Sequence, residues 1–340
     1  MADTPQTLAL LALGQKYRGK IVPQINRLSA TLRVLPMIPG GGKNVAWVAE
    51  GDSEDAENYA DGADAANFSS DSQNDAILSW ARVRKNFKIT DTARAAAQTN
   101  EAGPDGLKDL IAHNIITQSG KVASKVNLQI FSGDGTSDAL TGFDTAIGDD
   151  TNTYATIVRG TDTYWKPTVV DPGSLTPLTF AQVRSDRTAI FKKSGENPDL
   201  AFVPPEVFDA WGNLYDATRR YVQEVTTPRG TVKLNAGFEG LEFDGMVILK
   251  DKDATANRIY YVNSNYVHLE YLPLSPATVA ALMTMGIDMK ADDGFGMTPL
   301  GIRCEKLAKT GDADKYMVKT TLQLVVRRPN TCGVRKNVAT

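Results

Sequence analysis

A chain of 340 residues, 42% apolar with a formal net charge of −3, has room for one elaborate domain or two to three lobes, each with a core of its own. Its two cysteines, Cys304 and Cys332, are too few for a disulfide framework and fit a reducing cytosol. No apolar run approaches the ~18 residues of a membrane span, and the short stretch Leu8–Leu13 has no charged leader, so neither an anchor nor a signal peptide is expected.

The near-neutral balance conceals segregation. Thr4 to Lys43 carries six bases and no acid, and Lys315 to Thr340 six more with no acid, whereas Asn44 to Ala81 carries nine acids and no base. Like charges this dense repel and favour an extended, solvated loop. Such opposed blocks predict complementary surfaces on neighbouring copies.

Residues 8–30 read as a mobile or partner-dependent arm with one or two helical turns. "TLRVLPMI" (31–38) predicts a strand ended by Pro39 and the glycines at 40–42, and "VAWV" (45–48) resumes an extended segment. After the acidic loop, "AILSWARVRKNFKITDTA" (76–93) alternates, with Ile77, Ala81, Val83, Phe87 and Ile89 on one face and Arg82, Arg84 and Lys88 on the other. Residues 31–92 therefore read as one long hairpin with a large tip, which cannot bury itself and needs something to lie on. "GPDGLKDLIAHNIITQSGKVASKVNLQIF" (103–131) places Leu107, Ile111, Ile115, Val122, Val126 and Ile130 on one stripe of a long helix, with Pro104 at its first turn.

Residues 150–275 read as a separate lobe. A helix over 178–195 is capped by Thr179 and closed by Gly195. A strand and a helix entered through Pro204 and Pro205 occupy 198–216, and 241–251 and 257–272 read as strands. The tail, 295–329, reads as two long strands around "TGDAD".

The parts for catalysis are scarce. His113 and His268 are the two histidines, one in a helix and one in a strand, and they lack partners for a zinc or a Ser–His–Asp site. "PGGGKN" (39–44) lacks the spacing and following helix of a phosphate loop. Asp149, Asp150 and Asn152, or Asp251 and Asp253, form at best a loose cation site without calcium-loop spacing. No cofactor, metal or catalytic residue is expected.

The order of parts carries a resemblance: basic arm, long two-stranded loop, long helix, α/β lobe, C-terminal strands. With "GFDTAIG" (142–148), "LTFAQVRSDRTAIFKKSGENPDLAFVPPEVFDAWGNL" (178–214) and "GFEGLEFDGMVILKDKDATANRIYYVNSNYVHL" (237–269), it resembles the major capsid protein of tailed bacteriophages. The resemblance implies an α+β protein of the Hong Kong 97-like fold. Residues 1–30 would be the N-terminal arm and 31–92 the extended loop lying across a neighbour. Residues 93–139 would be the peripheral domain with spine helix 104–131, 140–272 the axial domain, and 273–340 the peripheral C-terminal strands and tail.

The implied function is a virion shell of hexamers and pentamers, assembled in the host cytoplasm around double-stranded DNA contacted non-specifically. The implied helpers are separate scaffolding and portal proteins, with room for a decoration protein and no membrane. The family's founding member joins its shell by an isopeptide bond from a loop lysine; this loop has none between Asn44 and Ala81, so no such bond is expected. The acids Asp52, Glu54, Asp55 and Glu57 are expected to face bases of a neighbour. The expected partners are Arg27, Arg33, Arg327 and Arg328, with Arg82, Arg84, Lys85 and Lys88 as further candidates. Two alternatives are an encapsulin-type nanocompartment shell and, more remotely, a cation-dependent enzyme with its site in 140–272.

Overall fold

The computed structural model describes residues 29–51, 58, 61, 72–99, 103–214, 224–227, 230–233, 240–273, 301–309 and 311–339. It divides into two compact units: one of Met1–Ser29, Ala81–Asn127 and Tyr271–Leu322, the other of Ala30–Trp80, Leu128–Glu270 and Gln323–Thr340.

In the first unit, Ala81–Thr90 pairs antiparallel with Ala313–Leu322, the greater part of the long strand Ala313–Val326. Arg303–Leu307 pairs with the other edge of that strand. Alternation sorts the side chains. Val83, Ile89, Cys304, Tyr316 and Val318 are buried, while Arg82, Arg84 and Lys88 are exposed. Phe87 stacks on Tyr316 with ring centroids 5.0 Å apart. The expected turn at "TGDAD" is present, with Gly311 in the left-handed region at φ 78°. Ion pairs tie the start of helix Asp91–Thr99 to this hairpin, Lys309 to Asp91 at 2.6 Å and Arg94 to Asp314 at 3.2 Å, and Lys306 meets Asp314 within the hairpin at 3.2 Å. The long helix spans Gly103–Ser132, ~45 Å at 1.5 Å per residue. Of the expected stripe, Ile115, Val122, Val126 and Ile130 are fully buried and Ile111 half-buried. Leu107 lies outside the residues whose side chains are described.

The second unit is built on a six-stranded sheet, ordered Gly240–Phe243, Met246–Lys250, Leu200–Val203, Ile259–Val262, Gly333–Arg335, Thr168–Val170. It mixes parallel and antiparallel pairs. One face sends Leu241, Phe243, Met246, Ile248, Ala201, Val203, Ile259 and Tyr261 into a core shared with Val183, Ile190, Val207 and Trp211 of helices Phe180–Ser194 and Pro205–Leu214. The other face sends Phe202 and Tyr260 into an aromatic cluster with Phe131 and Phe143. Burial on both faces explains why the central strands read as continuous apolar runs. The first helix is capped as expected, Thr179 accepting from the Gln182 backbone in a capping box and Gly195 closing it at φ 74°. Deep in this layer Arg335 grips Asp186 bidentately at 2.6 and 2.7 Å, and the Tyr261 hydroxyl donates to the same carboxylate. The pair joins helix to sheet where water is excluded.

Four expectations are corrected. Residues 31–34 are helical (Ala30–Val34), because Asp251 accepts from the Thr31 hydroxyl at 2.7 Å and its N–H at 3.3 Å, and the strand is confined to Met37–Pro39 after Pro36. The hairpin is shorter than 31–92: Val45–Gly51 pairs with Ser72–Leu78, and Ala81–Thr90 leaves it for the long strand. The run 257–272 is two strands broken at "NSN", where Asp199 takes the Ser264 N–H and hydroxyl and Asn265 N–H donates to Asn263. The last residues do not return with the other C-terminal strands; Gly333–Arg335 completes the six-stranded sheet.

Asp186→Ala leaves a buried guanidinium without its counter-charge and should cost about 3–5 kcal/mol in urea unfolding of dissociated subunits. Asp186→Leu with Arg335→Met should recover most of that loss. A single variant as stable as wild type would show that the pair is not what joins helix to sheet.

Candidate assembly surfaces

The ribbon formed by Val45–Gly51 and Ser72–Leu78 is held on one side only. Val45, Ala49, Ala76 and Leu78 are buried in their own chain, and Trp47 is half-buried against Trp165, with centroids 6.3 Å apart. Ile77 N–H donates to Ala155 at 3.0 Å, the Thr156 hydroxyl to Asp75 at 2.9 Å, and the Asn74 amide to Tyr164 and Asp162 at 2.8 and 3.1 Å. The Gln323 amide donates to Ser79 and Thr141 and accepts from the Thr141 and Leu324 N–H groups, anchoring the ribbon's end. The opposite face carries Ala46, Val48, Glu50, Gln73, Asp75 and Ile77, all exposed; Val48 is 63% exposed.

Beneath the root lies Arg159, fully buried. Its guanidinium donates to the carbonyls of Thr145, Ala146, Asp149 and Trp165 and to Asn152 Oδ1, and its carbon sits 5.3 Å from the Tyr154 ring centre. Burial pulls its pKa down to about 10, which leaves it charged at neutral pH. Of the candidate cation ligands, Asp149 accepts from Thr151, Asn152 from Arg159, and Asp251 from Thr31 and the Asp253 N–H. Among the described residues no three His, Cys, Asp or Glu side chains are grouped to hold a metal ion, and no helix is long and apolar enough to cross a membrane.

In the other unit one face of the strands Ala81–Thr90, Ala313–Val326 and Arg303–Leu307 is cationic. Arg84, Lys319 and Arg303 stand directly across from one another, as do Lys88 and Lys315, with Arg82 two residues from Arg84. Glu305 meets Lys319 at 2.6 Å and Arg303 at 3.8 Å. Cations directly opposed on neighbouring strands repel and call for an anionic partner.

A groove of about 810 Å³ opens beside the ribbon root, lined by Trp47, Val48, Glu50, Tyr164, Trp165, Lys193, Tyr266, Arg327, Arg328 and Asn330. Arg328 forms a fixed wall, paired with Glu196 at 2.8 Å and lying over the Tyr266 ring.

Of the residues expected to carry contacts, Asp52, Glu54, Asp55, Glu57 and Arg27 lie outside the described residues. Arg33 is half-buried in the short helix; Arg82, Arg84 and Lys88 share the cationic face; Lys85 is exposed on the opposite face; Arg327 and Arg328 line the groove. Lys193, Trp47 and Asn330 escaped sequence reading because they are distant in the chain. Lys315 and Lys319 were signalled by the acid-free tail.

A mixed sheet, a spine helix and a projecting ribbon define the shell-forming Hong Kong 97-like capsid fold. Residues 43–339 match the SU10 major capsid protein family, and the chain belongs to that family. The fold resembles the cyanophage A-1(L) capsid asymmetric unit at TM-score 0.73 and 16% identity, covering 96% of this chain and 98% of that one. It resembles the capsid of a native GTA particle at 0.58 and 12%, covering 97% and 99%. A third likeness is to the holo-SrpI encapsulin complex from Synechococcus elongatus PCC 7942, at 0.56 and 12%, covering 97% and 95%. No curated protein sequence matches. The protein is a structural, shell-building one.

Beside the groove, His268 is buried, with Nε2 unbonded and 3.8 Å from Glu270. Burial, reinforced by the Arg327 charge, pushes its pKa from 6.5 to about 4. The folded state holds it neutral, so its contribution is complete above 6.5 and lost as pH falls towards 4. Burial raises Glu270, which acts in the opposite sense above its ordinary value. The melting temperature of wild-type subunits should fall over that window more steeply than that of His268→Leu; equal slopes would exclude His268 as the source.

Proposed function

We propose that this chain associates as hexamers and pentamers into an icosahedral shell around the double-stranded DNA of a tailed bacteriophage, in the host cytoplasm, with separate scaffolding and portal proteins and, on the finished shell, a decoration protein. The single observation that carries this reading is the ribbon. It is anchored through one face and leaves Val48 and Ile77 exposed on the other, and it leads into a segment with seven acids and no base between Asp52 and Asp71. A face of that kind is completed by another copy. The encapsulin fold is shared, but the family match favours the phage shell.

Asp52, Glu54, Asp55 and Glu57 then meet bases of a neighbour, drawn from Arg27, Arg33, Arg82, Arg84, Lys85, Lys88, Arg327 and Arg328. Two unit charges ~4 Å apart interact by ~4 kcal/mol at an effective dielectric of ~20, and by ~1 kcal/mol in bulk water. Exposed pairs contribute ~0.2–1 kcal/mol each. A ring repeats every contact around its circuit, so small terms accumulate.

Asp52→Asn, Glu54→Gln, Asp55→Asn and Glu57→Gln together should leave the subunit folded, weaken assembly measured by light scattering, and flatten its salt dependence. Assembly equal to wild type with the same salt response would mean that the acids only keep an exposed loop soluble.

A further inference from the structure

We infer that the groove beside the ribbon root is the seat of the acidic loop of a second copy, taken up as an extended peptide; this rests on the shell reading above. Beside Arg328, which Glu196 already meets, the groove presents two cations, Lys193 and Arg327, that make no ion pair among the described residues. The Lys193 side chain is exposed, its ammonium donates to the Pro167 carbonyl at 3.1 Å, and it makes no ion pair among the described residues. Partial desolvation holds its pKa below the usual lysine value against the pull of Asp150, with Lys166 and Arg159 adding to the repulsion, and an incoming carboxylate relieves that penalty. Arg327 is exposed on the same wall without an ion pair among the described residues.

The groove also presents an unmet donor and an unmet acceptor. Trp47 Nε1–H and Asn330 Oδ1 are both buried without a hydrogen-bond partner. A buried polar atom left unpaired forfeits its hydration without recompense, so two lining one groove point to a missing occupant. An extended backbone supplies a carbonyl for the first and an N–H for the second. The wall of Tyr164 and Trp165, which meet edge to face with centroids 6.2 Å apart, offers apolar surface between them.

The chain contains a segment with that chemistry. Residues 52–71 combine acids with Ala, Gly and Ser, whose small side chains let a backbone approach, and carry Tyr59 and Phe68 for the aromatic wall. Each limb of about ten residues can extend ~33 Å past the ribbon's end, enough to reach an adjoining chain. The basic arm is a poor occupant, because Thr4 to Lys43 has six bases and no acid. The cationic sheet face is the rival receiver. It is open to water and Glu305 meets part of its charge, whereas the groove couples cations to a buried donor and a buried acceptor.

The test uses whole particles assembled from an equal mixture of ¹⁵N-labelled and unlabelled chains bearing Val48→p-benzoylphenylalanine, irradiated and digested for mass spectrometry. Cross-links joining labelled to unlabelled chains through residues 52–71 are expected. Cross-links within one chain only, to another segment, to DNA, or none at all would overturn the proposal. In parallel, Lys193→Gln with Arg327→Gln should weaken assembly about tenfold and add nothing to the loop variant with its four acids neutralised, whereas Arg84→Gln with Lys319→Gln should add independently. Additive groove and loop losses would overturn it as well. Trp47→Phe, which keeps the ring and removes the donor, gives the same comparison if the charge variants fail to fold. If neutralising the loop acids has no effect on assembly, the charge-pairing reading falls by itself, and the cross-links still decide where the loop sits.

Discussion

A buried guanidinium bonded to backbone carbonyls, with no ion pair among the described residues, holds the platform on which the ribbon rests. Arg159 is buried among carbonyls, two of them, Thr145 and Ala146, at the end of the short helix Phe143–Ala146. Those carbonyls carry the negative end of the helix, so the charge is met by oriented dipoles. The five N–H groups of arginine suit a ring of acceptors in a way one lysine ammonium cannot match. The segment it gathers, residues 145–165, supplies Ala155, Thr156, Tyr164 and Trp165 to the ribbon, and its rigidity becomes the ribbon's rigidity.

The division of labour follows from that anchor. The ribbon spends its buried face on its own chain and leaves Val48 and Ile77 exposed on the other. An isolated two-stranded ribbon is marginal in water, so the anchored half supplies the order that the projecting half needs. The opposed charge blocks follow the same logic. On the proposed shell reading, acids concentrated in residues 52–71 and bases elsewhere in the chain reward a neighbour at every repeat of a symmetric ring.

Much of this was legible in the sequence because it is local. The long helix was expected over 104–131 and spans Gly103–Ser132, since a stripe spaced mostly by four fixes a helix wherever it packs. The caps at Thr179 and Gly195 were readable because capping chemistry involves only a few neighbouring residues. What escaped depends on distant partners. Alternation in Ala81–Thr90 identified a strand but not its mate, which lies more than two hundred residues later. Thr31–Val34 is helical because Asp251 meets Thr31, a contact no local pattern contains. The apolar run at 257–272 hid the "NSN" turn, whose signal is the side chain of Asp199. The groove was invisible for the same reason: Trp47, Lys193 and Asn330 are assembled by the fold.

The central claim is that the chain is built to be one unit of a closed shell, its ribbon completed by a neighbour. Electron microscopy of the purified protein, with its oligomeric state followed by sedimentation across a range of salt, tests this most directly. The account predicts rings or closed shells in which a ribbon crosses from each chain to the next. A single species of 36.8 kDa under every salt and scaffold condition would contradict it.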